Sequence, residues 1–128
     1  MAKAKILLVD DTEKALKEEK EIIKDLKVGV YTAGSGKDAL KTLLAEKPDL
    51  VLLDLMLPDM TGESIIKFIR IRSELSNTAI IVVTARDAKD GLADCFDFGC
   101  DAYVNKPFQK DDMLNKIKIL LDEKGLTY

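Results

Sequence analysis

Short runs rich in Val, Ile and Leu alternate with amphipathic stretches along the whole chain. The runs cover residues 5–10, 28–33, 49–54, 79–84 and 101–105. Three of them contain a continuous apolar block, which is typical of parallel strands covered by helices on both faces. The alternation predicts an α/β fold with a five-stranded parallel sheet, doubly wound by five helices. The runs at 28–33 and 101–105 are more polar, so we expect them at the sheet edges.

The amphipathic stretches between these runs have the spacing of helices. The apolar face of the first comprises Ala15, Leu16, Ile22, Ile23 and Leu26. Lysines and glutamates fill the rest of that helix, and we expect them on its solvent face. The second begins with Ser35 and Asp38, a capping-box pattern. A weaker fourth stretch is marked by Leu92, Cys95, Phe96 and Phe98. The fifth starts at Gln109, a poor N-cap residue, and ends near Gly125.

The length and charge of the chain exclude several classes of protein. With 128 residues, the chain is interpreted as one domain over residues 1–128. Its net charge is −3 and it has no basic run, so we expect no direct contact with nucleic acid. No apolar stretch approaches the roughly 18 residues of a membrane span, and no signal peptide pattern is present, so a cytoplasmic location is expected.

The histidine and cysteine content limits the catalytic groups and metal ligands that the chain can offer. The chain has no histidine, which removes the commonest general base, the commonest zinc ligand and any Ser–His or Cys–His nucleophile pair. It also cannot carry phosphate on a histidine of its own. The two cysteines, Cys95 and Cys100, do not form a C-x-x-C pair, and we interpret them as small core residues rather than metal or redox groups.

Polar residues follow the apolar runs where the strands should end. Asp10 and Asp11 follow the first run, Asp54 ends the third, Thr84 the fourth, and Lys106 follows the fifth. Ligands of open parallel sheets bind beyond the carboxyl ends of the strands, so these side chains should lie together. Two carboxylates about 4 Å apart repel by about 4 kcal/mol at an effective dielectric near 20. A Mg²⁺ ion, which prefers carboxylate oxygens and retained water, would offset this repulsion, and a lysine would offset more.

Each of these residues also has an ordinary structural interpretation. Asp10 and Asp11 could cap the helix that follows them. Thr84 is a natural strand residue, and Lys106 could be a solvated surface charge. Asp54 is harder to explain in this way, because a loop with proline and glycine follows it rather than a helix. The occurrence of all five residues in order, along one edge of the sheet, favours a shared functional site.

In these residues and their surroundings the chain resembles the receiver domains of bacterial response regulators, over essentially its full length. The matching segments are LLVDD at 7–11, DLMLPDMTG at 54–62, VTA at 83–85 and GCDAYVNKPF at 99–108. The resemblance implies a flavodoxin-like fold with strand order 2-1-3-4-5. It also implies a phosphoprotein that acts as a signalling switch of a two-component system rather than as a metabolic enzyme.

The resemblance implies a role for each residue at the predicted site. Asp54 would attack a phosphoryl group and form an aspartyl phosphate. Asp10, Asp11, Asp54 and the backbone carbonyl of Met56 would bind Mg²⁺. Lys106 would pair with the phosphoryl oxygens.

Three further residues receive roles from the same resemblance. The peptide bond before Pro107 is expected to be cis. Thr84 would hydrogen-bond the phosphoryl group, and Tyr103 would turn inward as an aromatic switch when Thr84 moves. An ordinary edge-strand aromatic remains the alternative for Tyr103.

The same resemblance implies partners. The phosphoryl donor would be a sensor histidine kinase or a histidine phosphotransfer protein, and acetyl phosphate could replace it in a test tube. A downstream protein would bind the face formed by the predicted fourth helix, fifth strand and fifth helix. Because no output domain, tag or linker is recognisable, we expect a receiver that works alone, as a shuttle or relay intermediate, over one excised from a longer protein.

Two positions allow a prediction about the lifetime of the phosphorylated form. Met56 and Arg86 lie two residues beyond Asp54 and Thr84, and would flank the path of a hydrolytic water molecule. The methionine cannot orient that water by a strong hydrogen bond, so slow self-dephosphorylation is expected.

The sequence argues against three rival functions and leaves a fourth open. A phosphohydrolase would need a second aspartate where Met56 stands, and a flavin module would need a phosphate loop where two aspartates lie. A P-loop is absent from the sequence. A receiver-like interaction module that is never phosphorylated is the remaining alternative.

Overall fold

The computed structural model describes residues 3–85 and 97–128. Its five strands are β1 (Lys5–Val9), β2 (Gly29–Ala33), β3 (Leu50–Leu53), β4 (Ala79–Thr84) and β5 (Ala102–Asn105). They form one parallel sheet in the order β2-β1-β3-β4-β5. This is the order implied by the resemblance, and the two more polar runs are the edge strands, as predicted.

Four helices have defined bounds within residues 3–85 and 97–128, against five expected. They are α1 (Glu13–Ile23), α2 (Gly36–Glu46), α3 (Gly62–Arg70) and α4 (Lys110–Glu123), so α4 is the predicted fifth helix. Of the residues that marked the predicted fourth helix, Leu92, Cys95 and Phe96 lie outside the described residues. Phe98 is described and is helical together with Asp97.

Alternate side chains of the central strands enter two apolar clusters, one on each face of the sheet, because successive residues of a strand point to opposite sides. The α2–α3 cluster contains Leu7, Val9, Val51, Leu53, Ile80 and Val82, packed on Ala39, Leu43, Ile65, Ile66 and Ile69. The α1–α4 cluster contains Ile6, Leu8, Leu50, Leu52, Ile81 and Val83, packed on Ile22, Ile23, Met113, Ile117 and Leu121. Burial on both faces explains why the central runs are continuously apolar.

The buried face of α1 differs from the prediction at one residue. Glu19 is only 1% exposed and lies with Ala15, Ile22 and Ile23 on the inner side of the helix. It was expected among the solvated glutamates, and that prediction was wrong. The position is four residues after Ala15 and therefore on the same helical face, whatever the residue type.

The helix starts follow the local sequence. Thr12, Ser35 and Thr61 are the N-caps of α1, α2 and α3, and each side-chain oxygen accepts a hydrogen bond from the backbone N–H three residues later. The capping prediction for Ser35 is confirmed. Gln109 precedes α4 without a capping hydrogen bond from its side chain, as expected of a poor N-cap.

Cys100 is buried in the α2–α3 cluster, as predicted, but it is also disulfide-bonded, which the interpretation of a simple buried thiol did not include. The prediction for Cys95 lies outside the described residues. Among the helices of residues 3–85 and 97–128, none combines the length and apolar character that a membrane crossing requires.

Candidate functional site

The strand register brings three carboxyl groups together beyond the ends of β1 and β3. Val9 pairs with Leu53 in the sheet, so Asp10 and Asp54 leave neighbouring strands side by side. The backbone N–H of Asp54 donates to the carbonyl of Val9 at 3.0 Å, which continues the ladder by one residue. One oxygen from each of Asp10, Asp11 and Asp54 lies within 4.8 Å of the others. Asp10 and Asp54 are buried, whereas Asp11 is exposed.

Lys106 directly follows β5, and its ammonium group reaches this acidic cluster. The backbone N–H of Lys106 donates to the Thr84 carbonyl at 2.8 Å, just beyond the pairing of Thr84 with Asn105. The Nζ atom lies 2.6 Å from Oδ2 of Asp10 and 3.5 Å from Oδ2 of Asp54. The peptide bond between Lys106 and Pro107 is cis, which confirms that prediction.

The remaining predicted residues occupy the same edge or its vicinity. Thr84 is fully buried as the last residue of β4. Tyr103 pairs with Val82 in the sheet and is partly buried against the α2–α3 cluster. Arg86, which was expected near a hydrolytic water, lies outside the described residues.

The loop after β3 holds Met56 beside Asp54. The backbone N–H of Met56 donates to Oδ1 of Asp54 at 3.0 Å, and Met56 and Thr61 form an isolated antiparallel bridge. Gly62 closes the loop by donating to the Leu55 carbonyl at 3.1 Å. A Cβ atom at Gly62 would lie 2.6 Å from Cα of Leu55, so the backbone approach here requires glycine. The Met56 side chain itself is 63% exposed.

Asp59 anchors the tip of this loop to the start of α2. Its Oδ1 accepts from the backbone N–H of Gly36 at 2.8 Å, and its Oδ2 accepts from that of Lys37 at 2.9 Å. These backbone hydrogen bonds lower the pKa of Asp59. The sequence interpretation missed this contact. An aspartate after a proline indicates a turn, but no local signal indicates that its carboxylate caps a helix more than twenty residues away.

Burial raises the pKa of Asp10 and Asp54, whereas Lys106 lowers it. For Asp10 burial is the largest single influence and raises the pKa, but hydrogen bonds from Lys106 and Thr12 together outweigh it, so the pKa is lowered. For Asp54 burial prevails over the hydrogen bond from Met56 and the charge of Lys106, so the pKa is raised. The pKa of Lys106 is raised, because its pairing with these carboxylates outweighs its own burial.

Glu19 is a fourth acidic group near this cluster, and the sequence interpretation missed it. Burial raises its pKa to about 8, and the charges of Asp10 and Asp54 add to the rise while that of Lys106 opposes it. Its spacing could have indicated burial, since residues 15, 19, 22 and 23 recur with the helical period on one face of α1.

A cavity of about 780 Å³ lies at the opposite end of the sheet and is separate from the acidic cluster. Its lining includes Arg70, Thr78, Asp101 and Lys124. The Arg70 guanidinium group donates to the carbonyls of Gly99, Ser76 and Thr78 and to Oδ2 of Asp101. These hydrogen bonds join α3 to the residues that precede β4 and β5. We therefore interpret this end of the molecule as structural.

The acidic cluster has the donor chemistry that a hard divalent cation requires. Its three carboxylates offer oxygen ligands at adjoining positions, and the exposure of Asp11 leaves room for retained water. The cluster contains neither thiolate nor imidazole, which zinc and copper prefer. Among the common cations of proteins, Mg²⁺ therefore fits the residues present.

Comparisons with known proteins agree with this geometry. The family model described as "Response regulator receiver domain" matches residues 6–118. The transcriptional regulatory protein DltR of Streptococcus agalactiae is 33% identical over 122 residues, covering 95% of this chain and 54% of its own length. The alkaline phosphatase synthesis transcriptional regulatory protein PhoP of Bacillus subtilis is 33% identical over 117 residues, covering 91% of this chain and 48% of its own. The chain thus spans about half the length of these curated relatives.

Solved structures show the same likeness in three dimensions. The CheY-like response regulator receiver domain protein of Methanospirillum hungatei superposes with a TM-score of 0.88 and 30% sequence identity, covering 97% of this chain and 98% of that one. The chain therefore belongs to the response regulator receiver domain family, whose members are signalling switches of two-component systems.

Proposed function

We propose that Asp54 is the phosphoacceptor of this receiver domain. The observation that carries the proposal is the arrangement of three carboxyl groups within 4.8 Å, with the Lys106 ammonium group between Asp10 and Asp54. A purely structural site gains nothing from such a cluster of like charges, whereas a cation and an incoming phosphoryl group make use of it.

Asp10, Asp11 and Asp54, with the backbone carbonyl of Met56, would hold Mg²⁺ in this proposal. A bound Mg²⁺ would neutralise the carboxylates and the oxygens of the transferring phosphoryl group. Support comes from the proximity of the three carboxyl groups and from the loop that holds Met56 next to Asp54.

The reaction requires little chemistry beyond positioning. A carboxylate oxygen of Asp54 attacks the phosphorus of a phosphohistidine, a new P–O bond forms and the P–N bond breaks. The electron pair of that bond stays on the histidine nitrogen, which then takes up a proton. Lys106 would pair with the phosphoryl oxygens. The backbone N–H of Met56, which donates to Oδ1 of Asp54, restricts the orientation of the attacking carboxylate.

The switch would follow from the charge that phosphorylation adds. Thr84 would hydrogen-bond the phosphoryl group, and Tyr103 would move inward as Thr84 does. This biases an existing equilibrium between two conformations. The partly buried position of Tyr103, on the strand next to that of Thr84, is compatible with such a movement. The readout face would include β5 and α4, and the predicted fourth helix, which completes that face in the prediction, lies largely outside the described residues.

The partners follow from this chemistry. The donor would be a sensor histidine kinase or a histidine phosphotransfer protein, because this chain has no histidine. The downstream target would be a protein that reads the switched face. The names of the two curated relatives concern transcription, and this chain spans about half of each. We therefore place any contact with DNA in an output partner or segment rather than in these acidic residues.

The test is the response to phosphoryl donors and analogues. The protein is incubated with Mg²⁺ and either acetyl phosphate or beryllofluoride. Intact-protein mass spectrometry would show one added phosphoryl group in the first case, and NMR shifts of backbone amides would report the second. Asp54→Asn should abolish both responses, whereas Asp25→Asn, at an exposed aspartate in the turn after α1, should leave both intact.

The rival function predicts a different result. A receiver-like interaction module that is never phosphorylated would give no added mass and no Mg²⁺-dependent shift in the parent protein. That outcome would overturn the proposal. Addition of a phosphoryl group to Asp54→Asn would move the acceptor elsewhere and would contradict the assignment of Asp54.

A further inference from the structure

Glu19 is a buried acidic residue that the proposed phosphoryl-transfer chemistry does not use. It lies in the middle of α1 and is 1% exposed. Its Oε1 atom is fully buried and has no hydrogen-bond partner among the residues that the structure describes. A carboxyl group in this condition is unusual, because buried polar groups are nearly always hydrogen-bonded.

Packing alone does not explain a glutamate at this position. Its neighbours on the same helical face, Ile22 and Ile23, belong to the apolar α1–α4 cluster. A leucine would fill such a position without burying a polar group. An unpaired buried carboxyl weakens the fold, and residues that break local rules in this way are expected at functional sites.

The charged groups around Glu19 connect it to the acidic cluster. Ala15, one turn before Glu19 on the buried face of α1, lines a surface cavity together with Lys106. Lys106 in turn contacts Asp10 and Asp54, and the charges of all three act on Glu19. Glu18, on α1 itself, adds a smaller repulsion. The α4 side chains fully buried in the cluster that covers this side of the sheet are Met113, Ile117 and Leu121, all of them apolar.

We propose that Glu19 is a fourth acidic residue of the cation site, which attracts the divalent cation through its charge without being one of its ligands. The proposal rests on the proposed binding of Mg²⁺ by Asp10, Asp11 and Asp54. Asp10 and Asp54 repel ionised Glu19, so a cation that neutralises these two aspartates makes it easier for Glu19 to ionise. By the same reciprocity, ionised Glu19 must favour binding of the cation.

This role makes the affinity for the cation depend on pH in a defined interval. The pKa of Glu19 is about 8, so the residue is a neutral carboxylic acid near pH 6 and ionised near pH 9. When it ionises, its O–H bond breaks, the proton passes to the buffer and the carboxylate remains. Cation binding should therefore release protons to the buffer around pH 8, and the affinity should rise with pH.

The experiment is calorimetric titration of the full chain with MgCl₂ at about pH 6 and about pH 9. We expect the parent to bind roughly three- to tenfold more tightly than Glu19→Gln at the higher pH, and equally at the lower pH. Titration at about pH 8 in two buffers of different ionisation enthalpy should show proton release in the parent and its loss in the variant. A merely structural role would not produce this pattern.

The matched control is Glu18→Gln, which removes a charge from the adjacent, exposed position. It should retain the pH dependence and proton release of the parent. Equal affinity and equal proton release for the parent and Glu19→Gln at the higher pH would overturn the role of Glu19. If the parent bound no Mg²⁺ at either pH, the proposed cation site itself would be wrong, so the two failures are distinguishable.

Discussion

The Nζ atom of Lys106 lies 2.6 Å from Oδ2 of Asp10 and 3.5 Å from Oδ2 of Asp54. The ammonium group is therefore paired mainly with Asp10. Asp54, the proposed acceptor, keeps the weaker contact and a raised pKa. This asymmetry leaves the Asp54 carboxylate less tightly bound than that of Asp10, which suits its proposed role as the nucleophile.

Lys106→Met should lower the free energy of unfolding near pH 7 by about 1–3 kcal/mol, because it leaves buried carboxylates without a nearby cation. Urea unfolding in EDTA measures the loss. Adding Mg²⁺ should reduce the difference, since the cation replaces part of the missing charge. Lys110→Met, at the exposed start of α4, is the control and should change stability by less than about 0.5 kcal/mol. Equal losses in both variants would contradict a special role for the Lys106 charge.

Asp54→Asn should raise the free energy of unfolding near pH 7, because burial disfavours the ionised carboxylate. The pKa of Asp54 is raised, so its contribution to stability is fully present below its ordinary value of 3.8 and is lost as the pH rises through the folded-state pKa. The amide removes that loss. Thermal unfolding at about pH 5 and pH 7 measures the effect, which should be accompanied by weaker stabilisation by Mg²⁺. A less stable variant would show that burial does not dominate at Asp54.

Glu19→Leu should make the protein more stable, and increasingly so at higher pH. The folded-state pKa of about 8 exceeds the ordinary value of 4.5, so the stability contribution of Glu19 is present below pH 4.5 and is lost progressively up to about pH 8. The full loss is about 3–5 kcal/mol, at about 1.4 kcal/mol for each unit of pKa. Chemical denaturation at about pH 5 and about pH 8 measures the change.

Glu18→Leu is the matched variant for this measurement, because Glu18 is exposed on the same helix. It should show little change with pH relative to the parent. If Glu19→Leu and the parent had parallel pH profiles, Glu19 would not be a neutral buried acid in the folded protein.

Met56→Asn should shorten the lifetime of the phosphorylated form several-fold. The Met56 side chain is 63% exposed beside Asp54, and a thioether is only a weak hydrogen-bond acceptor, whereas an amide can orient a water molecule. Loss of the added phosphoryl mass with time, after removal of acetyl phosphate, measures the rate. Unfolding should be almost unchanged, since the position is exposed. An unaltered rate in Met56→Asn and Met56→Glu would refute shielding by the methionine.

Arg70→Lys should destabilise the protein by about 2 kcal/mol, the scale of hydrogen bonds made by a charged donor. The Arg70 guanidinium group donates to three backbone carbonyls and to Asp101, and an ammonium group cannot reproduce that planar arrangement. Urea unfolding is the measurement. Arg72→Lys provides the comparison, because within the described part of the chain Arg72 makes one hydrogen bond, of 3.4 Å to the carbonyl of Phe68, and stacks on that ring. The network would be of little consequence if both variants lost equal stability.

Local hydrophobic patterning predicted the parallel sheet and the helices on its faces, and the resemblance implied the order of the strands. The runs around Leu8 and Leu52 are continuously apolar because helices cover both sides of the sheet. Capping by Ser35 was also predictable, because an N-cap depends on residues within one turn. The predicted fourth helix and Arg86 lie largely or wholly outside the described residues, so those predictions remain as such.

The sequence alone placed five polar residues at one edge of the sheet, because parallel strands end together there. They are Asp10, Asp11, Asp54, Thr84 and Lys106. Only the tertiary structure decided which charges pair there and which remain unpaired. Lys106 pairs mainly with Asp10, Asp59 contacts the start of α2, and distant charges act on Glu19. Each of these relationships depends on segments that are far apart in sequence. A periodic pattern reports the direction of a side chain within its own element. The groups that it meets, and the pKa that results, are set by how the elements pack against one another.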